Sequence, residues 1–124
     1  MNLDAYWRAV LAQDTDGMRA FLAPDAVICW PNTGERFSAE TFIRVNCAYP
    51  GAWKGGLERV EYAGDVAVCV VRVQSADDAS SLHAVSFLRL DGERIARIDE
   101  YWSDDGPVPS WRQKLLGSSE TGSQ

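Results

Sequence analysis

Residues 82–102, LHAVSFLRLDGERIARIDEYW, give the strongest indication of the fold. Two runs in which apolar residues recur at every second position, 82–90 and 94–102, flank the pair Asp91-Gly92. This pattern predicts two antiparallel strands joined by a two-residue type I′ turn at Asp-Gly.

The turn also predicts which side chains share a face of this hairpin, because directly opposed residues point the same way. In the type I′ register, His83 lies opposite Glu100 near the end of an otherwise apolar face. A bulge of one residue would flip one strand and break this pairing. The remaining members of the predicted face are Val85, Phe87, Ala96, Ile98 and Trp102.

Glu100 and His83 are the candidate catalytic residues. A carboxylate beside an imidazole on an apolar face can act as a general acid and base, because burial and the neighbouring charge move both pKa values toward neutrality. The alternative is that the two side chains only satisfy each other at the end of the sheet. Asp99 is a weaker candidate, because its opposite parity places it on the outer face, where Arg97 or Arg72 can pair with it. Arg72 itself is expected at an edge or an interface.

A second group of residues is expected to line a pocket or bind a ligand. Asn32 follows the first strand and is either a turn residue or an amide that orients a ligand. The aromatic candidates are either pocket wall or plain core. The full set is Trp30, Asn32, Trp53, Phe87, Ile98 and Trp102.

The rest of the chain predicts an α+β fold, with three N-terminal helices packed on one face of a curved, mostly antiparallel sheet. Ser38 caps the third helix, and Phe37 and Phe42 have the spacing of a hydrophobic staple around it. One domain is expected over residues 1–112, followed by a flexible tail at 113–124. The predicted helices cover residues 3–13, 15–22 and 39–48, and the further strands cover 26–30, 57–63 and 66–74.

Composition excludes several classes of function. The net charge is −6, the Lys and Arg residues form no cluster, and the chain therefore lacks the basic patch of a nucleic-acid or anionic-membrane binder. There is no apolar run of membrane-spanning length and no N-terminal signal pattern, so a cytoplasmic protein is expected. Three separated cysteines and one histidine offer no metal-binding spacing, and neither a metal nor another cofactor is expected.

The segments LAPDAV (22–27), LDGERI (90–95) and IDEYWSD (98–104) resemble the nuclear transport factor 2-like superfamily, most closely its SnoaL-like branch. The resemblance covers about residues 3–112. It implies a cone with a central cavity between helices and sheet, and a homodimer built on the outer face of the sheet. The superfamily includes polyketide cyclases, ketosteroid isomerases, epoxide hydrolases and non-enzymatic binders, so the fold alone leaves the reaction open.

Matching by position is partial. The last-strand carboxylate of the epoxide hydrolases falls on Glu100, and their Tyr-x-Asn resembles Trp30-Pro31-Asn32, but their Arg-x-Asp has no counterpart in the acid-free segment 66–74. The His and acid of the polyketide cyclases resemble His83 with Glu100. The resemblance therefore implies a cofactor-independent isomerase, cyclase or lyase acting on a small hydrophobic carbonyl compound. The alternatives are a pocket that binds a small apolar ligand without catalysis and a dimeric interaction module.

Overall fold

Three helices and a short hairpin precede a long meander of strands. The computed structural model describes residues 1–117, so the tail predicted at 113–124 lies mostly outside the described residues. The elements are α1 (Leu3–Leu11), α2 (Thr15–Phe21), β1 (Leu22–Trp30), β2 (Glu35–Ser38), α3 (Ala39–Ala48), β3 (Trp53–Ala63), β4 (Val66–Ser75), β5 (Ser81–Asp91), β6 (Arg94–Asp104) and α4 (Ser110–Gln113).

Short polar side chains begin the first three helices. Asn2, Asp14 and Ser38 each accept a hydrogen bond from the backbone N–H three residues further on. These bonds satisfy donors that have no partner inside the helix. The third helix covers the predicted residues, whereas the first ends two residues before the predicted boundary at residue 13.

The six strands form one mixed sheet in the order β2-β1-β6-β5-β4-β3. Only the β1–β6 pair is parallel among these strands. β1 begins at Leu22, earlier than predicted, and its pairing with β6 is irregular between Leu22 and Val27. Pro24 lies in this interval and has no N–H to donate to the ladder. The predicted α+β architecture, with helices against a largely antiparallel sheet, is confirmed.

The core lies between the helices and the inner face of the sheet. The largest completely buried side chains come from α1, α2 and four of the strands: Tyr6, Met18, Ile28, Val71, Leu88, Ile95 and Ile98.

Among residues 1–117, no helix is long and apolar enough to cross a membrane.

The β5–β6 hairpin departs from the predicted register in two ways. Asp91 pairs with Arg94, so the turn residues are Gly92 and Glu93. Gly92 has φ +62° and Glu93 does not have a positive φ, as in a type II′ turn. This displacement alone would keep the predicted faces, because it moves each partner by two residues.

A bulge at Ala96 changes the faces. Leu90 pairs with Ile95 whereas Arg89 pairs with Arg97, which leaves Ala96 as the extra residue. Beyond this point Ser86 lies opposite Glu100. The predicted placement of Ile98, Glu100 and Trp102 on one face is kept, but β5 presents the other set of its side chains to them.

Three predicted members of the inner face are therefore on the outer face. His83 pairs with Ser103, Val85 with Tyr101, and Phe87 with Asp99. The expectation that His83 shares a face with Glu100 is wrong, and so are the expectations that Val85 lies on that face and that Phe87 lies on the pocket side. The cause in all three cases is the single extra residue in β6.

Candidate functional site

Glu100 is a carboxyl group held inside the protein. Its residue is 7% exposed, and it lies on β6 between the buried Ile98 and the half-buried Trp102 on the same face. The Ser86 hydroxyl donates a hydrogen bond to Oε2, and the Trp30 indole N–H donates to Oε1 at 3.1 Å. Burial raises the pKa of Glu100, and the hydrogen bonds from Ser86 and Trp30 oppose that rise.

Aromatic rings surround Trp30, the last residue of β1. Its ring meets those of Phe37, Phe42 and Trp102 edge to face, with centroid distances of 4.8, 6.2 and 5.9 Å. Such edge-to-face contacts fix the orientation of each ring. The Trp30 N–H is thereby directed to Glu100 from an apolar wall.

Asn32 lies in the turn that follows Trp30. Its side-chain Oδ1 accepts a hydrogen bond from the backbone N–H of Trp102 at 3.3 Å. The side chain is exposed. The structure therefore brings together four of the candidate residues predicted from the sequence. They are Trp30, Asn32, Glu100 and Trp102.

Two further donors lie on α1. Within residues 1–117, the buried side-chain polar atoms without a hydrogen-bond partner are Tyr6 Oη and Trp7 Nε1. Burial raises the pKa of Tyr6 well above its ordinary value, and the charge of Glu100 adds to the rise. Leaving a buried polar group unsatisfied costs roughly 1–3 kcal/mol, so a ligand oxygen that accepts from these donors would recover that energy.

The thiol of Cys69 completes this interior polar group. Burial raises the pKa of Cys69, the indole of Trp7 opposes the rise, and the charge of Glu100 adds to it. The thiol is therefore kept in its neutral, weakly nucleophilic form. We call Tyr6, Trp7, Cys69, Ser86 and Glu100 the interior polar group.

Sequence reasoning found Glu100 but not its main partner. A single Ser in an alternating strand carries no signal, and the type I′ register places Ser86 on the outer face. Tyr6 and Trp7 lie in the first predicted helix, where aromatic residues at helical spacing indicate cavity wall or core. An aromatic pair with polar tips on the inner face of α1 is the signal that could have marked them as donors.

His83 belongs to a separate group on the outer face. Its Nδ1 lies 2.5 Å from Asp105 Oδ1, and its Nε2 lies 3.1 Å from Glu58 Oε1. The hydrogen bond with Asp105 raises the pKa of His83, with a smaller contribution from Glu58, while burial opposes it. Arg72 is exposed and pairs in register with His83 on β4. We call Glu58, His83 and Asp105 the outer clasp.

The remaining candidates are dispersed. Trp53 begins β3, donates to the carbonyl of Pro50 at 3.2 Å and meets the ring of Tyr49. Phe87 is 39% exposed on the outer face, and Asp99 on that face is paired with Arg97 at 2.9 Å. None of the three contacts Glu100 among the described hydrogen bonds, and the structure gives them no shared site.

Two surface depressions lie away from Glu100. One of about 490 Å³ lies between α2, α3 and the start of β1, with Leu22 and Ile43 in its lining. The other, of about 290 Å³, lies on the outer face and includes Phe87 and Tyr101. Neither of these two depressions is lined by Glu100. In the part of the chain that the structure describes, no cluster of three His, Cys, Asp or Glu residues has a metal-binding arrangement.

The sequence of the chain matches a known protein family. The family model of the SnoaL-like domain matches residues 3–98. No curated protein matches the chain.

Solved structures share the fold. A candidate ketosteroid isomerase from Kribbella flavida is 25% identical, with a TM-score of 0.75 over 91% of this chain and 83% of that one. An NTF-2-like protein of unknown function from Burkholderia xenovorans is 21% identical, with a TM-score of 0.73 over 94% and 91%. A candidate SnoaL-like polyketide cyclase from Shewanella putrefaciens is 16% identical, with a TM-score of 0.64 over 82% and 75%.

Proposed function

The chain belongs to the SnoaL-like domain family, and from its interior we propose that it catalyses proton transfer on a small hydrophobic carbonyl compound without a cofactor. The observation that carries the proposal is the buried carboxyl of Glu100 together with the buried hydroxyl of Tyr6, which has no hydrogen-bond partner in the protein. A candidate ketosteroid isomerase and a candidate polyketide cyclase are among the structural neighbours, and both activities are compatible with this type of reaction.

Glu100 is the base in this reaction. In its ionised form it takes a proton from the carbon next to the carbonyl, so that a C–H bond breaks and an O–H bond forms on the carboxyl. The electron pair of the broken bond delocalises onto the carbonyl oxygen, and Glu100 then returns the proton to carbon. A raised pKa makes Glu100 a stronger base than an ordinary carboxylate once it is ionised.

Tyr6 and Trp7 stabilise the oxygen of the substrate. Tyr6 offers a buried hydroxyl with no hydrogen-bond partner in the protein, and Trp7 offers a buried indole N–H whose protein contact is the weakly accepting sulfur of Cys69. Donors that are fixed in place before the reaction stabilise the developing oxyanion strongly in an apolar environment. Ser86 and Trp30 hold the carboxyl of Glu100 by hydrogen bonds to its two oxygens.

A proton-transfer assay tests this proposal without knowledge of the product. A panel of small hydrophobic ketones with acidic C–H bonds is incubated with the protein in D₂O, and deuterium incorporation is followed by NMR. We expect Glu100→Gln to lower the exchange rate by about 10²–10⁴. We expect Tyr6→Phe to lower it by roughly 10²–10³, as for removal of an oxyanion donor.

Glu61→Gln is the matched control, because Glu61 is an exposed carboxylate on β3 that pairs with Arg59. This variant should keep the exchange rate of the unmodified protein. An unchanged rate in Glu100→Gln would reject the proposed mechanism. Saturable binding of the ketones without exchange would support instead the second candidate, a non-catalytic pocket for small apolar ligands.

A further inference from the structure

Asn32 lies where the ladder between β1 and β6 ends. The last residues paired between these strands are Cys29 and Asp99. Three residues further along each strand, the side-chain oxygen of Asn32 accepts the N–H of Trp102. The side chain therefore continues the connection between the two strands beyond their backbone pairing.

The turn held by Asn32 also carries Trp30. The backbone N–H groups of Thr33 and Gly34 both donate to the carbonyl of Trp30, at 3.2 and 2.9 Å. Trp30 and the turn consequently move as one unit. A displacement of this unit from β6 would move the Trp30 N–H away from Glu100, and it would open the edge-to-face contact between Trp30 and Trp102.

We propose that Asn32 is a positioning residue, whose side-chain oxygen ties the turn to β6 and thereby holds the indole N–H of Trp30 on Glu100. This role uses the acceptor of the carboxamide. It differs from one of the two roles that the sequence leaves open for Asn32, an amide that orients a ligand, and it is compatible with the other, a turn residue. The kinetic consequence rests on the proposed function, whereas the structural consequence does not.

Two substitutions separate the acceptor from the donor. Asn32→Asp keeps an acceptor oxygen and removes the amide donor, whereas Asn32→Ala removes both. Thr33→Ala is the matched control, because Thr33 lies in the same turn and its side chain makes hydrogen bonds to Trp30 and Glu35 but none to β6.

The first readout is the titration of Glu100 itself, followed by NMR on protein with ¹³C-labelled glutamate, with Glu100→Gln assigning the signal. Donation by Trp30 lowers the pKa of Glu100, so its loss should raise that pKa. We expect Asn32→Ala to raise the pKa in the same direction as Trp30→Phe, by a smaller amount. The same rise should appear in the pH profile of deuterium exchange.

The second readout is the circular-dichroism couplet of the Trp30–Trp102 pair, identified by its loss in Trp102→Phe. We expect the couplet to weaken in Asn32→Ala and to persist in Asn32→Asp and Thr33→Ala. For Asn32→Asp the couplet is the informative readout. The added carboxylate raises the pKa of Glu100 by its charge alone, so the titration of this variant does not report on the hydrogen bond.

An unchanged titration and couplet in Asn32→Ala would overturn the proposal. A couplet lost equally in Asn32→Asp and Asn32→Ala would also overturn it, since the acceptor would then be insufficient. Neither readout requires a substrate. Failure of the exchange assay would therefore reject the proposed reaction and leave the result for Asn32 intact.

Discussion

Glu100 is subject to two opposing influences, and their balance sets its charge. The apolar surroundings favour the neutral acid, whereas Ser86 and Trp30 stabilise the anion. The alternation of β6 was sufficient to predict that Glu100 faces the interior together with Ile98. Its partners were less accessible, because the donor from β5 depended on the register and the donor from β1 on packing between strands distant in sequence.

The raised pKa of Glu100 predicts that this residue destabilises the folded state as the pH rises. In the unfolded chain a Glu titrates at about 4.3, and the folded group titrates above that. Stability attributable to protonated Glu100 is present below the unfolded pKa and is lost as the pH rises through the folded pKa. We therefore expect Glu100→Gln to be more stable than the unmodified protein at neutral pH, by a margin that shrinks in acid.

Urea unfolding at a series of pH values measures this margin, with Glu61→Gln as the control for removal of an exposed carboxylate. A constant difference between Glu100→Gln and the unmodified protein across the acid range would contradict the prediction.

The β5–β6 hairpin shows what can be predicted at the scale of an element. The existence of both strands and the position of the turn to within one residue follow from periodicity and from Asp91-Gly92. The bulge does not, because Ala96 is a residue that either strand face accepts, and only packing of Ile95 and Ile98 into the same core selects it. The extra residue, Ala96, therefore determines which face of β5 lies against Glu100, and it places His83 on the outer face in the outer clasp.

The outer clasp connects β3, β5 and the segment after β6. It predicts a pH effect that arises from hydrogen bonds to neighbouring carboxylates, whereas the pH effect of Glu100 arises from burial. Protonated His83 lies between two carboxylates, with Arg72 facing it from β4 and Ser81 donating to Asp105. The pKa of His83 is raised in the folded state. The stabilisation that protonated His83 contributes is therefore complete below pH about 6.5, the ordinary pKa of histidine, and is lost as the pH rises through the folded pKa. We expect His83→Gln to lose stability at acidic pH and much less at alkaline pH.

His83 is the single histidine of the chain, so its imidazole resonances can be titrated by NMR without ambiguity. We expect Asp105→Asn to lower its pKa more than Glu58→Gln does, and Glu61→Gln to leave it unchanged. A His83 that titrates at its ordinary value in the unmodified protein would refute the clasp.

In the whole molecule, the outer face of the sheet exposes an aromatic pair to solvent. The two residues are Phe87 and Tyr101, whose rings meet edge to face at 6.2 Å. The adjacent Arg97–Asp99 pair offers both signs of charge, which a two-fold related copy would meet with its own complements. We expect a homodimer through this face, as the family resemblance implies.

Sedimentation equilibrium tests the dimer. Tyr101→Lys should shift the mass toward the monomer, because it places a cation in the apolar centre of the contact. Tyr49→Lys is the control, since Tyr49 is 55% exposed on a different part of the surface, beyond the end of α3. A monomeric unmodified protein would exclude the dimer, and a dimer unaffected by Tyr101→Lys would place its interface elsewhere.

The strand order has a consequence for how the chain is made. β1 ends at Trp30, yet one of its two neighbours is β6, the last strand among the described residues, which begins more than sixty residues later at Arg94. Until residue 104 has left the ribosome, that edge of β1 has no partner and the apolar face of α3 has only an incomplete sheet to cover. Pairing the first strand with the last makes folding depend on contacts between distant parts of the chain, which slows it. The nascent chain therefore remains incompletely folded until β6 has emerged, and the carboxyl that we assign to catalysis is enclosed only when that strand has paired.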